Sequence, residues 1–262
     1  MSIEEILLKY REDITHELKY RWNNWDIDLS EKEKFEVISG LLCRQVTVMI
    51  HFSLSPSIWN PDLAPIILRT LIDNLINLSW ICDDPLDRSR KFIYYGLGVE
   101  KLNTENRIKQ MQEDNMDPNE DPYIEWSKSW IDSQRYSFLT EIDFGSWSGL
   151  STRKMAEESD NIGLYNYTYQ VFSSVAHNHW NHIGKFCMKQ SDNPLHMLLH
   201  IPTLRDYEHL VHFLEMGANY LDRAFKRVDK LFQINNIPNS AYDLFLANIR
   251  ALFANEDEGK EV

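Results

Sequence analysis

Cysteine, glycine and proline are scarce in this sequence, with 3, 9 and 9 residues respectively in a chain of 262. Cys43, Cys82 and Cys187 are odd in number, widely spaced and set in apolar stretches. They supply neither a disulfide framework nor a zinc ribbon, and read as reduced core thiols. So few turn-formers leave too few chain reversals for a β-sandwich, barrel or propeller. Basic charge is short as well: 27 Lys and Arg stand against 40 Asp and Glu, a net charge of −13. A surface of that sign repels a long nucleic acid, which binds mainly through its phosphates. No uncharged run approaches the roughly 20 residues needed to cross a bilayer. The start, Met1-Ser2-Ile3-Glu4-Glu5, lacks the basic-then-apolar order of a secretion signal. The expectation is a cytoplasmic protein without membrane association. What the chain does have is bulk: 43% hydrophobic and 12% aromatic residues fill a core and exclude disorder for most of its length.

Apolar positions recur at helical spacing. Ile3, Ile6, Leu7, Tyr10, Ile14, Leu18 and Trp22 mark a first helix, and Ser30-Glu31-Lys32-Glu33 opens a second with a capping-box pattern. Ser55-Pro56 and Asn60-Pro61 punctuate the gap before a third helix, about 61–81, and Asp84-Pro85 precedes a fourth, 86–112. The acidic stretch 113–122 lacks the central glycine of a calcium loop, so its acids read as solvated caps. A fifth helix carries Trp126, Trp130 and Phe138, a short one holds Met155, and a tyrosine-rich helix spans 164–186. Leu204, Tyr207, Val211, Leu214, Ala218, Leu221, Phe225, Val228 and Phe232 alternate steps of three and four, a heptad pattern with a second apolar stripe beside it. Such a helix is the central strut of a bundle or the seam of a homodimer. The expected architecture is all-α: a single helical domain over 1–254, with an acidic disordered tail at 255–262.

Chemistry is sought where polar groups interrupt apolar helices. The third helix is apolar nearly all round, yet Arg69, Asp73 and Asn77 form one stripe at four-residue steps. An ion pair in such surroundings costs several kcal/mol unless well paired. It either braces buried groups or lines a site. A facing wall is offered by Tyr169, Ser173, His177 and Asn181, again at four-residue steps. Arg suits a phosphate and His a proton transfer near neutral pH, so the two stripes together suit cleavage of a phosphodiester. A serine hydrolase fits less well, because Ser173 sits mid-helix and Gly-x-Ser-x-Gly is absent, with Trp147 at the centre of Gly145-Ser-Trp-Ser-Gly149. Seven of the nine histidines fall between 177 and 212, and His196/His200 or His209/His212, each a helical turn apart, could hold zinc. The absence of a His-Glu-x-x-His motif favours satisfied core or interface histidines, and no cofactor is called for.

The stretch Arg69 to Trp80, then Phe92-Ile-Tyr-Tyr-Gly-Leu97, Gly145 to Glu158, and Tyr169 to Trp180 resembles a bacterial domain-of-unknown-function family, fifty-six seventy-seven, over roughly residues 35 to 225. The resemblance implies an all-helical fold and motif positions at Arg69, Asp73, Trp147, Tyr169, Ser173, His177 and Trp180, with no reaction attached. The general form is similar to the HEPN class of helical ribonucleases and toxins, which use an Arg and a His four to six residues apart. Literal matches at Arg11/His16 and Arg205/His212 are no more than chance supplies. The expected function is therefore a metal-independent ribonuclease or toxin, in phage defence, in which Arg69 and His177 meet from different helices. Asp73 and Ser173 complete its catalytic set, and Tyr169, Trp147, Trp180 and Asn77 bind substrate. The alternatives are a non-catalytic module that binds a protein partner or self-associates as a homodimer, and a metal-dependent hydrolase. Short RNA or tRNA stays open as a substrate; a long nucleic acid does not.

Overall fold

The computed structural model describes residues 1–134, 146–235 and 240–258. Among the described residues the fold is all-α apart from one two-stranded hairpin. It falls into two compact units, one from 1–28, 38–83 and the described part of 152–262, the other from 29–37 and the described part of 84–151. Phe138 and Gly145 lie outside the described residues, as do positions 259–262 of the expected tail.

The first unit is built on α3 (Ala64–Ile81), against which α6 (Thr152–Glu158), α8 (Gln170–Ala176) and α10 (Val211–Phe232) pack. Its helix positions explain that role. Leu68, Leu71, Ile72, Leu75, Ile76, Leu78 and Ile81 are all at most 1% exposed, so apolar groups meet neighbours on nearly every side. Within this unit, residues 38–53 of α2 (Lys32–Ser53) join it through a buried polar link. There Gln45 Nε2 donates to the Leu71 carbonyl at 3.2 Å, while Asn74 Nδ2 donates to Gln45 Oε1 at 2.7 Å and to the Leu41 carbonyl at 2.8 Å. α10 buries Leu214, Ala218, Leu221, Phe225 and Val228. Gly217 marks its closest approach, since a Cβ there would stand 2.8 Å from Met49 Sδ and 3.3 Å from Leu71 Cδ1. α1 (Ile3–Asn23), opened by a Ser2–Glu5 capping box, packs on α11 (Ala241–Glu258), with Tyr10 and Phe245 rings 4.6 Å apart. A buried Arg21 ties this pair to α10, bonding Glu17 at 2.9 Å and Asp229 at 2.8 Å over the Phe225 ring.

The second unit holds α4 (Pro85–Glu113) and α5 (Pro122–Ser133). Asp121 caps α5 through the Tyr123 and Ile124 amides and pairs with Arg107 at 2.9 Å, which holds its carboxyl below the usual range. Asp117 likewise caps the 3₁₀ turn Pro118–Glu120, so two acids of that loop act as caps, Asp121 buried rather than solvated. Trp147 meets Phe92 edge-on at 4.9 Å within this same unit.

Four sequence expectations need correcting. The heptad positions Leu204 and Tyr207 are not helical, because α10 starts at Val211 and a two-stranded hairpin precedes it. α10 is also not the last helix: α11 follows and reaches Glu258, into the stretch expected to be disordered. The tyrosine-rich segment is not one helix but α7 (Ile162–Leu164), a π-helical turn at Tyr165–Tyr169, α8 and then α9 (Trp180–Phe186). Of the thiols only Cys82 is in the core, where burial pushes it up to about 12; Cys43 is exposed and Cys187 half-buried.

The break between α8 and α9 is a Schellman motif. Asn178 is left-handed (φ 54°), its N–H bonds the Val175 carbonyl at 3.2 Å, and the His179 N–H bonds the Ser174 carbonyl at 2.9 Å. Asn115, Asp160 and Gln233 end other helices in the same left-handed conformation. With few glycines in the chain, polar side chains take the position glycine usually fills.

Candidate functional site

α3 and the α6–α9 segment run antiparallel, as three cross-pairs show. Trp80 Nε1 donates to Glu158 at 2.8 Å, Arg69 Nη2 donates to the Tyr169 hydroxyl at 3.0 Å, and Asp62 meets His182 Nε2 at 3.0 Å. The two polar stripes therefore share a face, but in opposed order. They register at Arg69, Asp73 and Tyr169, so Asn77 and His177 stand at opposite ends.

The centre of the face is a three-residue cluster. The Arg69 guanidinium lies 5.1 Å from the Tyr169 ring centroid, and its Nε is 3.9 Å from Asp73 Oδ2, an ion pair longer than a hydrogen bond. That Nε is shut off from solvent without a hydrogen-bond partner. Tyr169 accepts from Arg69 and turns its own hydroxyl toward Asp73. Burial raises the Asp73 carboxyl, against the opposing pull of Arg69 and then of the Tyr169 bond. Burial also raises the Tyr169 phenol, with the Asp73 charge adding to it and the Arg69 bond opposing it. Solvent still reaches the acid, whose side chain is 37% exposed. A cation held by one weakly paired acid and one neutral phenol keeps donor capacity for an added anion.

The other expected members lie apart from this centre. His177, the exposed C-terminal cap of α8, stacks on His179 with ring centroids 6.0 Å apart. It stands two helical turns beyond Tyr169, roughly 11 Å of rise, outside direct reach of Arg69. Ser173 is half-buried between them, Asn77 is half-buried at the far end, and Trp180 is 70% exposed. Trp147 belongs to the second unit and Tyr169 to the first.

One feature was not singled out in the sequence. Asp62, before α3, holds the buried His182 of α9, and the Asp62 charge helps raise the Tyr207 phenol, after burial. No local pattern announces a pair so far apart in sequence. Arg11 and His16 line a shallow surface groove with Glu12, Thr15, Lys19, Ile50 and Leu54. The zinc pairs dissolve: His196 ends a 3₁₀ turn and His200 lies on a strand, while His209 precedes the start of α10. Among the described residues no three His, Cys, Asp or Glu side chains gather closely enough for a metal ion.

A model of a family of unknown function (DUF5677) matches residues 35–194, which include Arg69, Asp73, Tyr169, Ser173 and His177. No curated protein and no solved structure matches the chain.

Proposed function

The chain belongs to the family of unknown function DUF5677, a membership that brings no reaction with it, and we propose that it is a HEPN-like, metal-independent ribonuclease acting on short RNA. The observation that carries this reading is the Arg69–Tyr169 bond, which sets a polar stripe of α3 against the stripe that runs from the π-helical turn into α8. Arg69 anchors a phosphate, Asp73 and Tyr169 orient its guanidinium, and the exposed imidazole of His177 transfers the proton. Because His177 stands two turns from the cluster, the substrate lies along the shared face and bridges them. The acidic surface suits a short RNA or tRNA rather than a long duplex. In a cell such an activity would serve as a cytoplasmic toxin, in phage defence.

The test is cleavage of short RNA in EDTA. His177→Ala is expected to lower the rate by about 10²–10⁴-fold with an unchanged circular dichroism spectrum, and Arg69→Ala to weaken substrate binding. Wild-type activity in His177→Ala would remove the proposal. A second reading, a non-catalytic module that binds a protein partner or a second copy, is favoured by one observation: the hairpin after α9 is exposed and apolar.

A further inference from the structure

α1 packs chiefly on α11, and between it and the end of α2 lies a surface groove of about 460 Å³. Small-molecule sites run from about 300 to 1,000 Å³, so the space suits a compact ligand. From α1 come Arg11, Thr15 and Lys19 at four-residue steps, with His16 beside them. Ile50 of α2 and Leu54 just past its end supply an apolar side one helical turn long.

The charge in this groove runs against the rest of the molecule. Lys9, on the same helix, is tied to Asp13 at 3.2 Å, and Lys91, Lys109, Lys189 and Lys226 each hold an acid three or four residues away. Arg11 and Lys19 hold none among the described residues. The sequence leaves them unpaired: every position three or four residues from either is uncharged or is His16, so the usual helix-surface ion pair has no acid to form with. The lining includes a single carboxylate, the exposed Glu12, against these two cations. In a chain of net charge −13 the surplus is local.

The two sides select a ligand by elimination. An inorganic anion gains nothing from Ile50 and Leu54, and an uncharged apolar molecule gains nothing from Arg11 and Lys19. A long polyanion runs past the groove onto a surface of its own sign. What uses both sides is a small molecule with one anionic head, a carboxylate or a phosphate monoester, on an apolar body. Arg11 and Lys19 stand two turns apart, roughly 12 Å of rise, and both have long flexible stems that reach inward. A head seated over Thr15 therefore meets both cations, with the guanidinium able to hold two of its oxygens. Half-burial of Arg11 and Ile50 keeps part of that contact away from water.

We infer that this groove binds such an amphiphilic anion, its head between Arg11 and Lys19 and its body along Ile50 and Leu54. The site goes beyond the ribonuclease reading and shares no residue with it.

Isothermal titration of the full chain with octanoate and with octyl phosphate, each below its micelle concentration, tests the inference. At least one of the two is expected to bind at a single site, and the tighter of them identifies the head group. Arg11→Gln with Lys19→Gln is expected to weaken that binding by about tenfold or more, and salt raised to about 0.5 M is expected to weaken it in the wild type. Leu54→Asp, at a position 55% exposed, is expected to weaken it as well. An unchanged circular dichroism spectrum in each variant separates lost binding from lost fold. Failure of both anions to bind overturns the proposal. So does octanol or inorganic phosphate binding as tightly as the better anion, or undiminished binding by the charge variant.

Discussion

Tyr169 is the residue on which the candidate site turns, since its hydroxyl serves Arg69 on one side and Asp73 on the other. Tyr169→Phe keeps the ring and removes both bonds. The expected loss is about 1–2 kcal/mol in urea denaturation, because one donor of a charged group is left short. The Asp73 carboxyl makes a second, signed prediction. Its affinity for a proton is higher folded than unfolded, so the native state holds the proton more tightly and stability falls as pH rises above the ordinary aspartate range. Asp73→Asn should remove that part of the decline, read as a flatter plot of melting temperature against pH from 4 to about 7. Asp229, raised by the same cause in a different place, leaves the remainder of the slope in the variant. Arg69 and Asp73 were legible in the sequence because they interrupt a helix otherwise apolar all round, and Tyr169 because it opens a matching four-residue series. The opposed order of the two series was not legible. It depends on how the chain returns after α3, and nothing local records that.

Helix ends are the devices that shape this surface. Gln233 ends α10 in a left-handed conformation and is exposed, with the Ile234 N–H on the Asp229 carbonyl at 3.0 Å. Gln233→Gly removes the steric penalty and is expected to raise stability by about 1 kcal/mol, measured by thermal or urea unfolding. Gly217 predicts the reverse. Alanine gains about 1 kcal/mol of helix propensity, but its methyl would press on Met49 and Leu71, both fully buried. Overpacking of about 1–3 kcal/mol wins, so Gly217→Ala should destabilise. The long helices were readable from spacing because each turn repeats the signal. The Schellman break at Asn178 was not, since one asparagine on a periodic stretch looks like a surface position. Three-residue strands are too short to show alternation, so the hairpin leaves no signal in the sequence, and Leu204 and Tyr207 match the heptad by spacing alone.

Over the whole molecule, the first unit is held by one buried ionic knot as well as by its core. Arg21 is 2% exposed and reaches Glu17 and Asp229, while Glu17 also accepts the Ala241 amide at 2.6 Å. Arg21→Ala strands two acids without their partner and should cost about 3–5 kcal/mol in urea unfolding, a large share of the roughly 5–15 kcal/mol that keeps an ordinary protein folded. The same knot constrains biosynthesis. Glu17 and Ala241 are separated by 224 residues, so at roughly 5–20 residues per second α1 emerges about 10–45 seconds before α11 exists. Through that interval the Tyr10 side of α1 has nothing to rest on, and ribosome-bound nascent chains lacking the final helix should be the species that chaperones and proteases find.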